Sequence, residues 1–283
     1  MIELDVLGVA LWTPTQTSVS VASSLPPLAA VADVPSMTGA GLRAAPAPAA
    51  GLRPLAPRPL RPDTELLSVR ARGRASLLTL MFANVIEQAS KAAGIAGQSV
   101  PTVFGSAYGE MTTTLTLLEL QHTGDGRLSP AKFQASVHNT AAGQISIAQG
   151  DRSFSTSIAA GHDTLAMALL EAAAWLQSRP GVLVLACADE AAPAVLLPDL
   201  SYDAVAVALV LSNVPNSCPP LARLRRLVQT TTPPDALTER ENPCAAGLPL
   251  VRAIHAASAT TILLNHAAHQ SWQIDVLPTF PGP

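Results

Sequence analysis

Charge is scarce in this chain. Asp, Glu, Lys and Arg make up 13% of its 283 residues, against 48% hydrophobic ones. So little charge covers a surface poorly, and part of the apolar surface is expected to be buried against another subunit, unless alanine alone inflates the hydrophobic share. The net charge of −3 argues against nucleic acid as a partner. Cysteine is also rare. Cys187, Cys218 and Cys244 are odd in number and show neither framework spacing nor a CxxC or Cys/His ligand pattern. That argues against a structural zinc site and fits a reducing compartment. No uncharged apolar run approaches the ~20 residues of a membrane span. The start, MIELDVLGVALW, lacks a basic leader and reads as a first strand. The expected location is the cytoplasm, and nothing in the pattern implies a cofactor.

What is present alternates between helical and strand patterns. Ile2 to Trp12 reads as a strand, and Pro14 to Ser36 as turn-rich. Thr38 to Pro62 is a Pro/Ala/Gly/Arg segment, where proline forbids helix and central strand, so it reads as a loop. A helix over Leu77 to Lys91 has a stripe at Leu78, Met81, Val85, Ala89 and Ala92. Arg70, Arg72 and Arg74 precede it; they read first as internal ion pairs or a solvated face, and second as a contact for an acidic carrier protein. Thr102 to Ala107 reads as a strand. Glu110 to His122 reads as a helix with Met111, Leu115 and Leu118 on one side. A turn covers Thr123 to Gly126, and Pro130 starts a short helix. His138 to Gln149 reads as a helix facing inward at Ala141, Ile145 and Ala148. Val182 to Cys187 and Ala204 to Leu211 are near-continuous apolar strands of the kind covered on both faces. Further on, a strand is expected at Leu221 to Val228, a charged loop at Thr230 to Asn242, a helix at Pro249 to Ala257 and a strand at Trp272 to Leu277. The alternation implies an α/β layered fold.

One junction organises the rest. Ser153 to Ser157 alternates with a period of two, and a helical pattern with Leu165, Leu169, Ala172 and Leu176 begins at His162. Ile158 to Gly161 therefore lies at a strand-to-helix bend, where the first helical N–H groups can stabilise an anion or a thiolate. His162-Asp163 at this bend suggests a general base with an orienting carboxylate. The plainer reading is that Asp163 serves the helix start. Ser106 in FGSAYGE is not the serine of a G-x-S-x-G elbow, GAG at Gly39 to Gly41 lacks the rest of a dinucleotide site, and HAAH at His266 to His269 lacks the glutamate of a zinc-protease motif.

Several motifs in order carry a resemblance: LGVALWTP, RARGRASLLTLM, FGSAYGEMTTTLTLL, SPAKFQASVHNTAAGQISIAQGDRSFSTSIAAGHDTLAMALLEA, VLVLACADE and AVAVALVLS. Together they resemble the N-terminal half of a β-ketoacyl synthase of the thiolase superfamily, over about residues 1–212. The resemblance implies half of a thiolase-like layered fold, a mixed β-sheet with helices on both faces. It implies a single domain over 1–283, with 38–62 as a loop and 213–283 as a divergent extension in place of the second half.

The departure from the family carries the functional expectation. The bend of active ketosynthases reads T-A-C-x-S-G; here it reads Thr156, Ser157, Ile158, Ala159, Ala160, Gly161. Ile158 holds the nucleophile's place, and the family's two C-terminal histidines have no recognisable counterpart. A chain without these groups cannot condense by that mechanism. The resemblance therefore implies a pseudo-ketosynthase of the chain-length-factor type. Its expected partner is an active β-ketoacyl-ACP synthase, with acyl carrier protein as a second partner, in aryl-polyene or xanthomonadin-like biosynthesis. The pairing surface implied spans His138 to Ser157, with His138, Asn139, Thr140, Gln144, Phe154 and Thr156 as contacts. Two alternatives stay open: an acyl-thioester enzyme using His162 or a nearby serine, and a homodimeric acyl-binding module.

Overall fold

Two strands at the centre of the sheet are buried almost completely. The computed structural model describes residues 3–14, 16–20, 61–123, 127–191, 193, 195, 202–216, 219–231, 242–264 and 271–279. All of β6 (Val205–Ser212) and all but the first residue of β5 (Val182–Asp189) are buried. Their side chains alternate between two cores. Leu183, Leu185, Val207, Leu209 and Leu211 face one side; Val184, Ala186, Ala206, Ala208 and Val210 face the other.

Around this pair, the nine described strands form one sheet. They add β1 (Glu3–Thr13), β2 (Gln16–Ser20), β3 (Thr102–Gly105), β4 (Ser155–Ile158), β7 (Ala222–Thr230), β8 (Thr260–Leu263) and β9 (Ser271–Pro278). The order is β4-β3-β5-β6-β1-β7-β9-β8, with β2 paired to the far end of β1. β3 runs parallel to β4 and β5, while β6 is antiparallel to both β5 and β1. The sheet is therefore mixed.

Helices cover both faces. On one face lies α2 (Leu77–Ala92), joined by α5 (Thr140–Gln149); on the other lie α6 (Thr164–Ser178) and α7 (Gly247–Ala256). The sheet face under α2 is rich in alanine (Ala10, Ala186, Ala188, Ala206 and Ala208), whereas α2 contributes Leu78, Leu80, Met81, Phe82, Val85 and Ile86. Large helical side chains thus fill the shallow spaces over small strand residues, which keeps the packing dense. A Cβ on Gly8 would lie 2.4 Å from the carbonyl oxygen of Ala89, so glycine is what lets α2 cross β1 this closely. The expected stripe on α2 is in fact nearly a whole circumference: every residue from Leu78 to Glu87 is buried.

The remaining helices are α1 (Val69–Arg72), α3 (Met111–His122) and α4 (Pro130–Gln134). Two expected faces are wrong. Leu117, not Leu118, is the buried residue of α3, and Ala148 of α5 is exposed. Neither helix has a one-sided apolar pattern to decide the matter. The antiparallel wing β7-β9-β8 is dry on one side, where Leu224, Ile274 and Val276 meet Leu250, Val251 and Ile254 of α7. Its other side carries ion pairs: Arg223 with Glu3 and Asp5, Arg225 with Glu3, and Arg226 with Asp275. β2 and β8 were not expected. The greater part of 38–62, of the turn at 123–126 and of the charged loop at 230–242, together with Cys218, His266 and His269, lies outside the described residues.

Candidate functional site

The three parallel strands end side by side. Gly105, the last residue of β3, stands opposite Ile158 on β4 and Cys187 on β5. In sheets of this kind the carboxyl ends of the strands are the usual place for a site. A Cβ on Gly105 would lie 2.6 Å from the Cys187 sulfur and 3.1 Å from Thr164 at the start of α6. Glycine here lets α6 approach the strand ends at contact distance.

The bend leaves β4 at Ile158, whose carbonyl accepts from the Ser106 amide at 3.0 Å. A short 3-10 turn, Gly161–Asp163, then leads into α6, with Gly161 at φ +56°. Thr164 secures the turn: its hydroxyl accepts from the Ala160 amide at 3.1 Å and donates to the Gly161 carbonyl at 2.6 Å. Asp163 occupies the N-cap position of α6 but makes no capping bond through its side chain. Its Oδ1 is buried without a hydrogen-bond partner, and burial pushes its carboxyl up, with neighbouring His162 opposing. Asp163 therefore gives the helix start no capping bond, and Thr164 pins the turn before it. No hydrogen bond joins His162 to Asp163 among the described residues, so the structure gives His162 no orienting carboxylate. Ile158 is half-buried against the α6-side core.

Thiols are not far from the bend. Cys187 lies at the end of β5, across β3 from the bend and closer than its sequence position implies. It is fully buried, and burial together with Asp189 pushes its thiol far above the ordinary range. Cys244 is buried likewise and raised for the same reasons. Thiolate, the reactive form, is therefore suppressed at both.

The most heavily bonded group at this end was not picked out from the sequence. The Asp189 carboxylate accepts from the Ser106 hydroxyl at 2.8 Å, the Ala107 amide at 3.0 Å, the Tyr108 amide at 3.1 Å and the Cys244 thiol at 3.2 Å. Burial raises its pKa, and these donors oppose the rise. Asn242 closes the same corner by donating to the carbonyls of Asp189 at 2.9 Å and Asp203 at 3.0 Å and accepting from the Cys244 amide at 2.8 Å. Next to it, Glu110 accepts from Ser76, Thr79 and Thr113, while Glu190 accepts from the Leu78 amide and the Thr112 hydroxyl. Burial, with Glu190 nearby, raises Glu110. The sequence signal for this cluster was a pair of carboxylates, Asp189-Glu190, directly after an apolar strand.

The expected pairing residues gather along one edge. His138 Nε2 donates to the Ser106 carbonyl at 2.8 Å, and its ring packs on Gly109, where a Cβ would lie 2.9 Å away. Asn139 is exposed, Gln144 is half-buried, and Thr140 is buried with its hydroxyl on the Gln134 carbonyl at 3.1 Å. Phe154 stacks on Trp175 at 3.7 Å, and the Arg179 guanidinium lies 4.3 Å over the same indole. Thr156 lies on β4, which pairs only with β3 among the described strands. An open groove of about 560 Å³ runs beside it, lined by His138, Asn139, Gly143, Thr156 and Ser157 among others. Elsewhere, Arg72 pairs with Asp63 at 2.5 Å, while Arg70 and Arg74 are exposed. The described residues include no group of three or more His, Cys, Asp or Glu side chains able to hold a metal.

Comparison with known proteins places this geometry. The chain matches the β-ketoacyl synthase N-terminal domain over residues 50–273. No curated protein matches it. Among solved structures, the ketosynthase ApeO in complex with its chain length factor ApeC from Xenorhabdus doucetiae is 20% identical, with a TM-score of 0.58 over 75% of this chain and 82% of that one. The ishigamide ketosynthase/chain length factor is 12% identical, with a TM-score of 0.62 over 76% and 84%. AntDE:AntF, a type II polyketide acyl-carrier protein in complex with its ketosynthase, is 11% identical, yet matches over 98% of this chain and 99% of that one with a TM-score of 0.69. At these identities the structures establish the fold, a thiolase-like one. The family match spans well over half of the chain, which therefore belongs to the β-ketoacyl synthase N-terminal domain family.

Proposed function

We propose that this chain is a non-catalytic, chain-length-factor-like subunit that pairs with an active β-ketoacyl-ACP synthase. The observation that carries the reading is the bend itself. It keeps the strand, turn and helix, but Ile158 stands where the family's nucleophilic cysteine belongs. The thiols among the described residues, Cys187 and Cys244, are buried and held neutral. An acyl group has no atom there to transfer to. The likeness to ketosynthase/chain length factor complexes supports the same reading.

The pairing surface is the β4 edge and the α3–α5 region beside it. A strand edge with free backbone groups accepts another strand. Large apolar side chains are exposed in the neighbouring region: Leu118 at 54%, Phe133 at 59% and Ile147 at 83%, with Leu128 and Val137. A partner covering them removes apolar surface from water, worth about 25 cal/mol per Å² of area buried. His138, Asn139, Gln144 and Thr156 line or flank the contact, Phe154 anchors the strand from behind, and Thr140 holds the loop before α5. Ile158 lends an apolar wall to the acyl space at the strand ends. Arg70 and Arg74 offer a contact to an acidic acyl carrier protein. The pathway is polyene synthesis of the aryl-polyene or xanthomonadin-like kind, and the setting is cytoplasmic. None of the described helices is long and apolar enough to cross a membrane.

The test is co-expression with an active β-ketoacyl-ACP synthase from the same genome, followed by native mass spectrometry and a condensation assay. A stoichiometric complex that condenses, with each chain inactive alone, is the expected result. A ketosynthase that is soluble and fully active alone and forms no complex overturns the proposal. Ile147→Asp with Phe133→Asp on the exposed face should abolish pairing; unchanged pairing moves the surface elsewhere.

A further inference from the structure

We propose that the cleft between α2, α5 and the amino ends of β3, β4 and β5 is a binding site for one small, neutral, hydroxylated ring, a ligand of the phenol class. It lies at the opposite end of the parallel strands from Ile158 and does not depend on the pairing described above. Its volume is about 170 Å³, close to the ~150 Å³ apolar cavity in another protein that takes up a single benzene. The floor is apolar and comes from five segments: Ile86 of α2, Ile95, Phe104 of β3, Ile145 of α5 and Val184 of β5. All five belong to the buried core on the α2 side, so an apolar ring seated on them loses its contact with water.

The polar side of the cleft selects the head group. Glu87 is buried, with 4% of its side chain exposed, and accepts from Lys91 at 2.5 Å, the Thr64 hydroxyl at 2.7 Å and the Glu65 amide at 2.7 Å. Lys91 also donates to Glu65 at 3.0 Å. An ionised carboxylate offers about four acceptor positions and an ammonium three donors. The pair that lines this cleft therefore retains one of each, and a hydroxyl, which both donates and accepts, matches them. An anionic head would meet Glu65, Glu87 and Asp151 against the single Lys91. A cationic head would compete with Lys91 for oxygens already bonded. Burial pushes the Glu87 carboxyl up, but the bonds from Lys91, Thr64 and the Glu65 amide outweigh it and hold the group below its ordinary value. It therefore stays an acceptor at neutral pH.

Methyl-labelled isoleucine spectra of the full chain test this. Phenol is titrated in, with benzoate and benzylamine as parallel probes. Saturable shifts at the methyls of Ile86, Ile95 and Ile145, with Ile254 and Ile274 unmoved, are expected, and the two ions should bind at least about tenfold more weakly. Ile145→Phe, which fills the floor, should abolish the phenol shifts at Ile86 and Ile95. The proposal is overturned if phenol moves none of the three methyls, if it moves isoleucines throughout the protein alike, or if either ion matches it. The mapping on the unaltered chain decides the matter even if the Phe variant does not fold. Pairing with a ketosynthase plays no part in the readout, so failure here leaves that proposal untouched, and the reverse also holds.

Discussion

The two strand ends that flank β3 carry opposite arrangements. At the end of β4, Ile158 offers no polar atom, and Asp163 leaves a buried oxygen unbonded. At the end of β5, Asp189 is fastened by four donors from two separate segments. The end of β4 is apolar; two strands away, across β3, the end of β5 is held rigid. On the function proposed above, that contrast is the one expected of a scaffold that keeps the shape of a reactive site without its reactivity.

The largest break in the contrast comes from Asp189→Ala. It removes the acceptor of the buried Ser106 hydroxyl and Cys244 thiol as well as that of the part-buried Ala107 and Tyr108 amides, and an unmet buried donor costs about 1–3 kcal/mol, so a loss of roughly 2 kcal/mol or more is expected in urea unfolding. A loss below about 1 kcal/mol would show that the clamp does not hold the corner. The second test uses acid and base. Glu110 is raised by burial and by Glu190, so the fold favours its protonated form. Stability from this group is highest at low pH and is lost as pH rises through its folded value. Glu87 is lowered, so its contribution is present above the ordinary glutamate range and is lost as pH falls through its folded value. Urea midpoints across the acid range should therefore show Glu110→Gln flattening the loss on raising pH and Glu87→Gln flattening the loss on lowering it. The same slope in both variants as in the unaltered chain would contradict these assignments.

Ile158→Cys probes the empty end. Removing part of a half-buried side chain should cost about 1 kcal/mol, and the new thiol should react with iodoacetamide in the folded chain while Cys187 and Cys244 do not. Peptide mapping after labelling reads this directly; labelling of Cys187 or Cys244 before unfolding would contradict their burial. The smallest effect belongs to Asp163→Ala. Because the carboxyl makes no capping bond, its loss should change stability by less than about 0.5 kcal/mol, below the usual cost of removing an N-cap. A loss of a full cap's size would mean that Asp163 does bond in solution.

The same contrast explains what could be read from the sequence. β5 and β6 were legible because burial on both sides makes their apolar runs continuous, and α6 because Leu165, Leu169, Ala172 and Leu176 recur at helical spacing. The bend at Ile158 was legible because strand and helix periods meet there within a few residues. The Asp189 corner was not, because its partners lie at 106–108 and 242–244 and only the folded sheet brings them together. Leu117 and Leu118 were confused because α3 carries apolar residues at 115, 117 and 118, and spacing alone does not say which turns inward. β8 is four residues, Thr260–Leu263, half of them threonine, and only its pairing with β9 makes it a strand.

The most direct test of the central claim is intact-mass spectrometry after incubation with an acyl carrier protein thioester. This chain is incubated alone and together with the ketosynthase proposed as its partner. The account predicts acyl mass on the ketosynthase and none on this chain in either mixture. A covalent acyl adduct on the isolated chain would contradict it.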